Sequence, residues 1–93
     1  MTQFELYMLR KIRKASNLDT ALFRPLVRWY RDHKEQDFWQ LAWTACTVID
    51  RSSLILTETE TERLKDFSDK AYERMQSSDR EIASLITKYG WEA

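Results

Sequence analysis

The stretch DFWQLAWTACTVIDRS, residues 37–52, decides the fold. Asp37 and Gln40 have the spacing of a capping box, in which two side chains satisfy free N–H groups at a helix start. Behind them, small and apolar residues recur at the spacing of one helix face: Phe38, Leu41, Ala42, Ala45, Val48, Ile49 and Ser52. A second face carries Trp39, Trp43 and Cys46. A helix that is apolar on two faces is either central in a bundle or shared with a partner.

Two more helices are predicted on the N-terminal side of this segment. Thr2 and Glu5 form a second capping box, and apolar residues follow it at helical spacing: Phe4, Met8, Ile12 and Ala15. Pro25 disturbs the next helix, because its missing N–H falls beyond the first turn. We expect a kink there, or a short turn at 18–23 followed by a helix with Pro25 near its first position.

The C-terminal part predicts one long helix or two shorter ones over residues 58–89. Capping boxes begin at Thr57 and at Ser78, and Gly90 is a natural residue to end the last helix. Two sets of residues each repeat every seven positions and together form a heptad pattern. The first set is Leu64, Ala71, Ser78 and Leu85, and the second, offset by four positions, is Ser68, Met75, Ile82 and Tyr89. Phe67, Tyr72 and Ile86 broaden its apolar stripe. Polar seam positions favour packing within the domain over an intermolecular coiled coil. Residues 52–56 extend the preceding helix or form an extended link.

These patterns predict an all-α fold, a compact bundle of four to five helices with the C-terminal helix longest. The length of 93 residues fits a single helical domain, 1–93, and one Gly with one Pro argues against an all-β chain. The single Cys46 permits no intramolecular disulfide, the N-terminus lacks a signal pattern, and no apolar run reaches membrane length. We therefore expect a cytoplasmic protein that does not bind membranes.

The sequence shows no catalytic, metal-binding or cofactor-binding pattern. The sole histidine, His33, lies in a polar connection, and Cys46 lies among apolar residues, so we expect a solvated histidine and a buried, inert cysteine. A zinc site needs four Cys or His ligands at set spacing, and a phosphate-binding loop needs glycines. We therefore expect no enzyme activity, no metal and no cofactor.

Charge is unevenly distributed along a chain of zero net charge. Residues 1–34 carry eight Lys/Arg and three acids, a net charge of +5, whereas residues 35–93 carry a net charge of −5. The two halves either neutralise each other across an internal or dimer contact, or the basic half faces an acidic partner.

Two groups of residues are candidates for partner binding. The first is basic and comprises Arg10, Lys11, Arg13, Lys14, Arg24, Arg28 and Arg31. Within it, the row of Arg24, Arg28 and Arg31 is expected to face outward and the row of Leu22, Leu26 and Tyr30 to face the core. The arginine row either faces a partner or pairs with the acid-rich region 58–73. The second group is aromatic and comprises Trp39 and Trp43, which we expect to be an exposed pair.

The stretch Tyr7-Met-Leu-Arg-Lys-Ile-Arg-Lys-Ala-Ser-Asn-Leu-Asp-Thr20 resembles the first helix and turn of the Hha/YmoA family. Those proteins are small all-helical bacterial modulators that pair with the nucleoid protein H-NS. The stretch covers residues 7–20 and departs from the family by an extra Lys11. Asp50-Arg51 stands where the family has Asp-His-Arg. The resemblance implies a regulator that binds a charged protein partner.

From these observations we expect a non-enzymatic protein-binding accessory or regulatory factor, bacterial or from a mobile element. Its partner is expected to be a protein with an acidic surface. One alternative is a helical nucleic-acid-associated regulator, since Trp29 and Tyr30 lie among the cations and aromatic rings stack on bases. Another is a structural subunit of a homo-oligomeric bundle.

Overall fold

The computed structural model describes residues 1–75 and 77–91 and confirms the all-α class. Over this part of the chain there are five α-helices: α1 (Gln3–Lys14), α2 (Arg24–Asp32), α3 (Phe38–Asp50), α4 (Glu58–Glu73) and α5 (Asp79–Tyr89). A π-helical turn, Asp19–Phe23, precedes α2 directly. None of the helices in the described residues is both long and apolar enough to cross a bilayer.

Side-chain caps start the helices where the sequence predicts them. Thr2 accepts a hydrogen bond from the backbone N–H of Glu5, and Ser78 accepts one from that of Glu81. The capping box at Thr57 is complete, because the Glu60 side chain also accepts from the Thr57 backbone N–H. At the other end of the chain, Gly90 terminates α5 with φ 67°, a left-handed conformation that glycine adopts without steric cost.

The π turn allows the second helix to begin next to Pro25. The backbone N–H of Arg24 donates to the carbonyl of Asp19, five residues back, which is the wider hydrogen-bond step of a π-helix. Pro25 then stands as the second residue of α2, where no intrahelical donor is needed. Of the two expected arrangements, the structure has the short turn followed by a helix that starts near Pro25.

Helix α3 is the central helix of the bundle. It packs against α1, α2, α4 and the π turn. Both apolar faces contribute to the core, since Phe38, Ala42 and Ala45 of the first face and Trp39 of the second are fully buried. The two-faced pattern is therefore used mainly inside the domain, as a central helix requires.

The segment 58–89 divides into two helices, and the heptad does not continue through the break. Buried residues of α4 are Leu64, Phe67 and Ala71, and those of α5 are Ile82 and Ile86. Tyr72, expected to broaden the apolar stripe, is instead 69% exposed. The expectation that the C-terminal helix is the longest is wrong, because the division leaves α5 with 11 residues and α4 with 16.

Helix α5 is attached through side chains at both of its ends. The hydroxyl of Tyr30 on α2 donates a hydrogen bond to Asp79 in the first turn of α5. Beyond the last turn, the Trp91 ring stacks on Phe23 with centroids 4.6 Å apart. Between α3 and α4, residues 53–56 form an extended link that holds Leu54 and Leu56 against the core.

Candidate functional site: a basic face on α1 and α2

The predicted basic set lies on the surface of α1 and α2, and we call it the basic face. Six of its seven members are exposed: Arg10, Arg13, Lys14, Arg24, Arg28 and Arg31. Lys11 is half-buried. On the other side of the second helix, Leu22 and Leu26 are fully buried and Tyr30 is 7% exposed. The prediction that arginines and apolar residues occupy opposite sides here is confirmed.

Tyr7 connects the two helices that carry the basic face. The Lys11 Nζ lies 5.4 Å from the centroid of the Tyr7 ring, and the Trp29 ring of α2 lies 5.1 Å from it. Burial raises the pKa of Tyr7, and the nearby positive charge of Arg28 opposes that rise. The Tyr7 hydroxyl is inaccessible to solvent and has no hydrogen-bond partner among the described residues. The charges of Arg28 and Asp32 thus act on one desolvated hydroxyl, and Lys11 lies over the ring.

The aromatic contacts of the basic face continue to His33. Its ring stacks on Trp29 with centroids 3.9 Å apart and planes 10° from parallel. The His33 Nδ1 lies 3.1 Å from the carbonyl oxygen of Trp29. The expectation of a solvated histidine is therefore wrong, because stacking leaves the residue half-buried at the end of α2.

The arginine row does not pair with the acid-rich region of α4. Within residues 1–75 and 77–91, one ion pair is formed, between Arg63 and Asp19 at 2.7 Å. It involves none of Arg24, Arg28 and Arg31. Their charges are consequently solvated in this structure, and the internal-pairing alternative has no contact to support it.

The expected exposed pair of tryptophans is half wrong. Trp43 is 40% exposed, but Trp39 is fully buried. Trp39 lies 5.1 Å from Phe38 and 5.9 Å from Phe67 of α4, ring centroid to ring centroid, so the docking of α4 accounts for its burial. The exposed neighbour of Trp43 is Tyr72, whose ring centroid lies 6.4 Å away and which was expected to broaden the apolar stripe of the C-terminal segment.

The aromatic contacts of two residues beside the basic face were not predicted, although the spacing of these residues gave a signal. Tyr7 stands four residues before Lys11, and His33 stands four residues after Trp29. Residues four apart on a helix face each other, and a cation or ring near an aromatic is stabilised in that arrangement. The contact between Tyr7 and Trp29 joins separate helices and has no comparable signal in the sequence.

Cys46 is buried, as predicted. Burial raises the pKa of its thiol to about 12, while a side-chain hydrogen bond with Ser68 acts in the opposite direction. The thiol therefore stays protonated at neutral pH, and a protonated thiol is a poor nucleophile. Its neighbour is a serine of α4, whereas His33 is stacked on Trp29 of α2.

In the described part of the chain, no three His, Cys, Asp or Glu side chains converge as metal ligands would. Comparisons of the chain with protein-family models, with curated proteins and with solved structures gave no match.

Proposed function

We propose that this chain is a non-enzymatic accessory or regulatory factor whose basic face binds an acidic surface of a partner protein in the cytoplasm. The observation that carries the proposal is the arginine row of α2, exposed and without an ion-pair partner in the described residues. A cluster of one sign on a chain of zero net charge creates a local field that steers an oppositely charged partner.

The surroundings of Tyr7 supply a centre for such an interface. Energetically dominant interface residues are enriched in Tyr, Trp and Arg, and they cluster in desolvated positions. Tyr7, Trp29 and Arg28 lie close together here, and the Tyr7 hydroxyl has no hydrogen-bond partner within residues 1–75 and 77–91. Arg28 favours a partner carboxylate at this hydroxyl, and the nearby carboxylate of Asp32 opposes it.

The aromatic residues of this face favour a protein over a nucleic acid. Stacking of bases needs an open ring face. Tyr30 is buried in the core, and His33 covers one face of the Trp29 ring. The resemblance of residues 7–20 to modulators that pair with a charged protein agrees with this choice.

Arg28→Glu tests the proposal. The side chain is exposed, so we expect the free energy of unfolding to change by about 0.5 kcal/mol or less, as for ordinary surface substitutions. Binding should weaken mainly through slower association, because a charge on an interface steers the encounter. Lys65→Glu is the matched control, since it reverses an exposed charge on α4 outside the basic face.

The experiment compares wild type and both variants as baits in extracts of the native host, with and without nuclease treatment. We expect an acidic protein to be retained by wild type and Lys65→Glu and lost from Arg28→Glu, and the purified pair then gives the association rates. Identical retention by all three baits would overturn the proposal. Retention that nuclease abolishes would favour the nucleic-acid alternative, and a mass of the free protein that rises with concentration would favour the homo-oligomer.

A further inference from the structure

A groove lies on the surface of the bundle between α1 and α3, and it has a volume of about 340 Å³. Met1 and Trp43 line the groove, and both are exposed. The exposed Tyr72 of α4 extends this apolar surface, since its ring centroid lies 6.4 Å from that of Trp43. Aromatic residues and methionine are enriched in the buried centres of protein interfaces. The groove therefore has the composition of a surface that another protein covers.

The two threonines that line the groove can be covered at low cost. The hydroxyl of Thr44 donates to the carbonyl of Gln40 at 2.9 Å, and the hydroxyl of Thr47 donates to the carbonyl of Trp43 at 3.1 Å. A polar group that keeps its hydrogen bond is cheaper to remove from water than one that loses it. A protein that covers the groove therefore leaves neither hydroxyl without a partner.

Opposite charges stand at the two ends of the groove. Glu5 lies in the first turn of α1 and beside the start of α3, because Thr2 and Gln40 share the walls of a neighbouring cavity. Its carboxylate accepts a hydrogen bond of 3.2 Å from the Thr2 hydroxyl. Arg51 follows the last turn of α3. Neither Glu5 nor Arg51 forms an ion pair in the part of the chain that the structure describes. The groove thus offers a carboxylate at one end and a guanidinium at the other.

We propose that a second copy of this chain covers the groove, related to the first by a two-fold axis near Thr47. Trp43 and Arg51 lie four residues before and four residues after Thr47. When α3 packs antiparallel to its counterpart, the axis brings Arg51 of the second copy to Trp43 and Glu5. There its guanidinium pairs with the Glu5 carboxylate and lies against the Trp43 ring. The symmetry repeats both contacts, as in any isologous dimer.

Charge complementarity is the reason for choosing a second copy as the occupant. Any other protein would need both charges in the matching order, whereas the two-fold axis supplies that order from the groove itself. The groove shares no residue with the basic face, so the dimer leaves both basic faces free for an acidic partner. A mass that rises with concentration therefore counts against the proposed function only if Arg28→Glu abolishes the rise.

Sedimentation equilibrium of the full chain tests the dimer by charge reversal. The mass of wild type should approach twice that of one chain as its concentration rises from micromolar to millimolar. Glu5→Lys and Arg51→Glu should each weaken the dimer about tenfold or more, because each reversal sets like charges against each other at both ends of the interface. An equimolar mixture of the two variants should regain the wild-type affinity, because both contacts of the mixed dimer again join a cation to a carboxylate.

Two further variants separate the groove from general effects of charge and folding. Arg80→Glu is the matched control, because it reverses an exposed arginine of α5 outside the groove, and it should dimerise like wild type. Trp43→Ala changes no charge and should weaken the dimer about tenfold or more, as truncation of an interface tryptophan does. Circular dichroism shows whether each variant is folded, and recovery in the mixture requires that both of its components are.

Three results would each overturn the proposal. The first is a wild type that stays monomeric at millimolar concentration. The second is a mixture of folded Glu5→Lys and Arg51→Glu that associates no better than either variant alone. The third is unchanged dimerisation in Trp43→Ala, which decides the matter even if Glu5→Lys does not fold.

Discussion

The ion pair between the two charge halves of the chain uses a minority charge from each. Residues 1–34 are basic and residues 35–93 are acidic, yet the ion pair between them joins Asp19 of the basic half to Arg63 of the acidic half. The Glu60 carboxylate of the acidic half accepts a hydrogen bond of 2.7 Å from the backbone N–H of Leu18 in the basic half. The majority charges form no ion pair between the halves in the described residues, and Glu60 and Asp79 contact the basic half as hydrogen-bond acceptors.

Apolar contact joins the halves instead. Phe23 is buried, and its ring meets Phe67 at 5.0 Å and Trp91 at 4.6 Å, centroid to centroid. The Arg63 guanidinium lies 4.6 Å from the centroid of the Phe23 ring, which places a polar group at the edge of these apolar contacts. Because apolar contacts join the halves, removing the Phe23 ring should destabilise the fold far more than removing any single charge.

Phe23→Ala should give the largest effect, a loss of about 3–5 kcal/mol in the free energy of unfolding, as expected when a fully packed aromatic is truncated. Denaturant titration of both proteins measures the difference. Leu6→Ala is the control on an exposed apolar residue, and it should change stability by about 0.5 kcal/mol or less. Similar losses in the two variants would show that Phe23 does not hold the halves together.

Glu60→Gln should give a pH-dependent effect. The backbone N–H of Leu18, followed by that of Thr57, lowers the pKa of Glu60 from its ordinary value near 4.5. The stabilisation from the ionised carboxylate is therefore fully present above that value, and is lost as pH falls through the lower pKa of the folded state.

Melting temperatures measured from neutral pH down to acid should accordingly show a steeper decline in wild type than in Glu60→Gln. The glutamine still accepts one hydrogen bond, so the two proteins differ chiefly in this titration. Parallel declines would mean that the contact with Leu18 contributes nothing that depends on ionisation.

Asp19→Asn should give the smallest effect. Both partners of the ion pair are about half exposed, with side chains 44% and 59% accessible, and such pairs contribute roughly 0.2–1 kcal/mol. The loss should shrink further in concentrated salt, because exposed charges are screened. Melting curves at low and high salt measure it. A loss as large as that of Phe23→Ala would show that the ion pair stabilises the contact between the halves as much as the apolar residues do.

The sequence predicted local features well, because their causes are local. Thr57 and Glu60 are three residues apart, and their capping box depends on that spacing alone. The outward direction of the arginine row followed in the same way from its position relative to Leu22 and Leu26. Helix starts and the end at Gly90 belong to this class, and the structure decides for two helices where the sequence had left one or two open.

Features that depend on how helices meet were not predictable in this way. Trp39 and Trp43 share one face of α3, and the position of α4 decides which of them is covered. Tyr72 follows the buried Ala71 and points about 100° away from it around the helix, so it lies outside the apolar stripe to which the heptad pattern had assigned it. In the candidate site, the contact between Tyr7 and Trp29 joins two helices and was missed for the same reason.

The π turn has a further consequence for the direction in which the arginines point. Leu18, Leu22, Leu26 and Tyr30 recur every fourth residue and are all buried. In an uninterrupted α-helix each such step advances about 40° around the axis, so a stripe of this spacing would spiral out of the core. A π turn winds less per residue and corrects the phase midway along the stripe. The outward direction of the cations on α2 is thus set in part by backbone geometry upstream of Arg24.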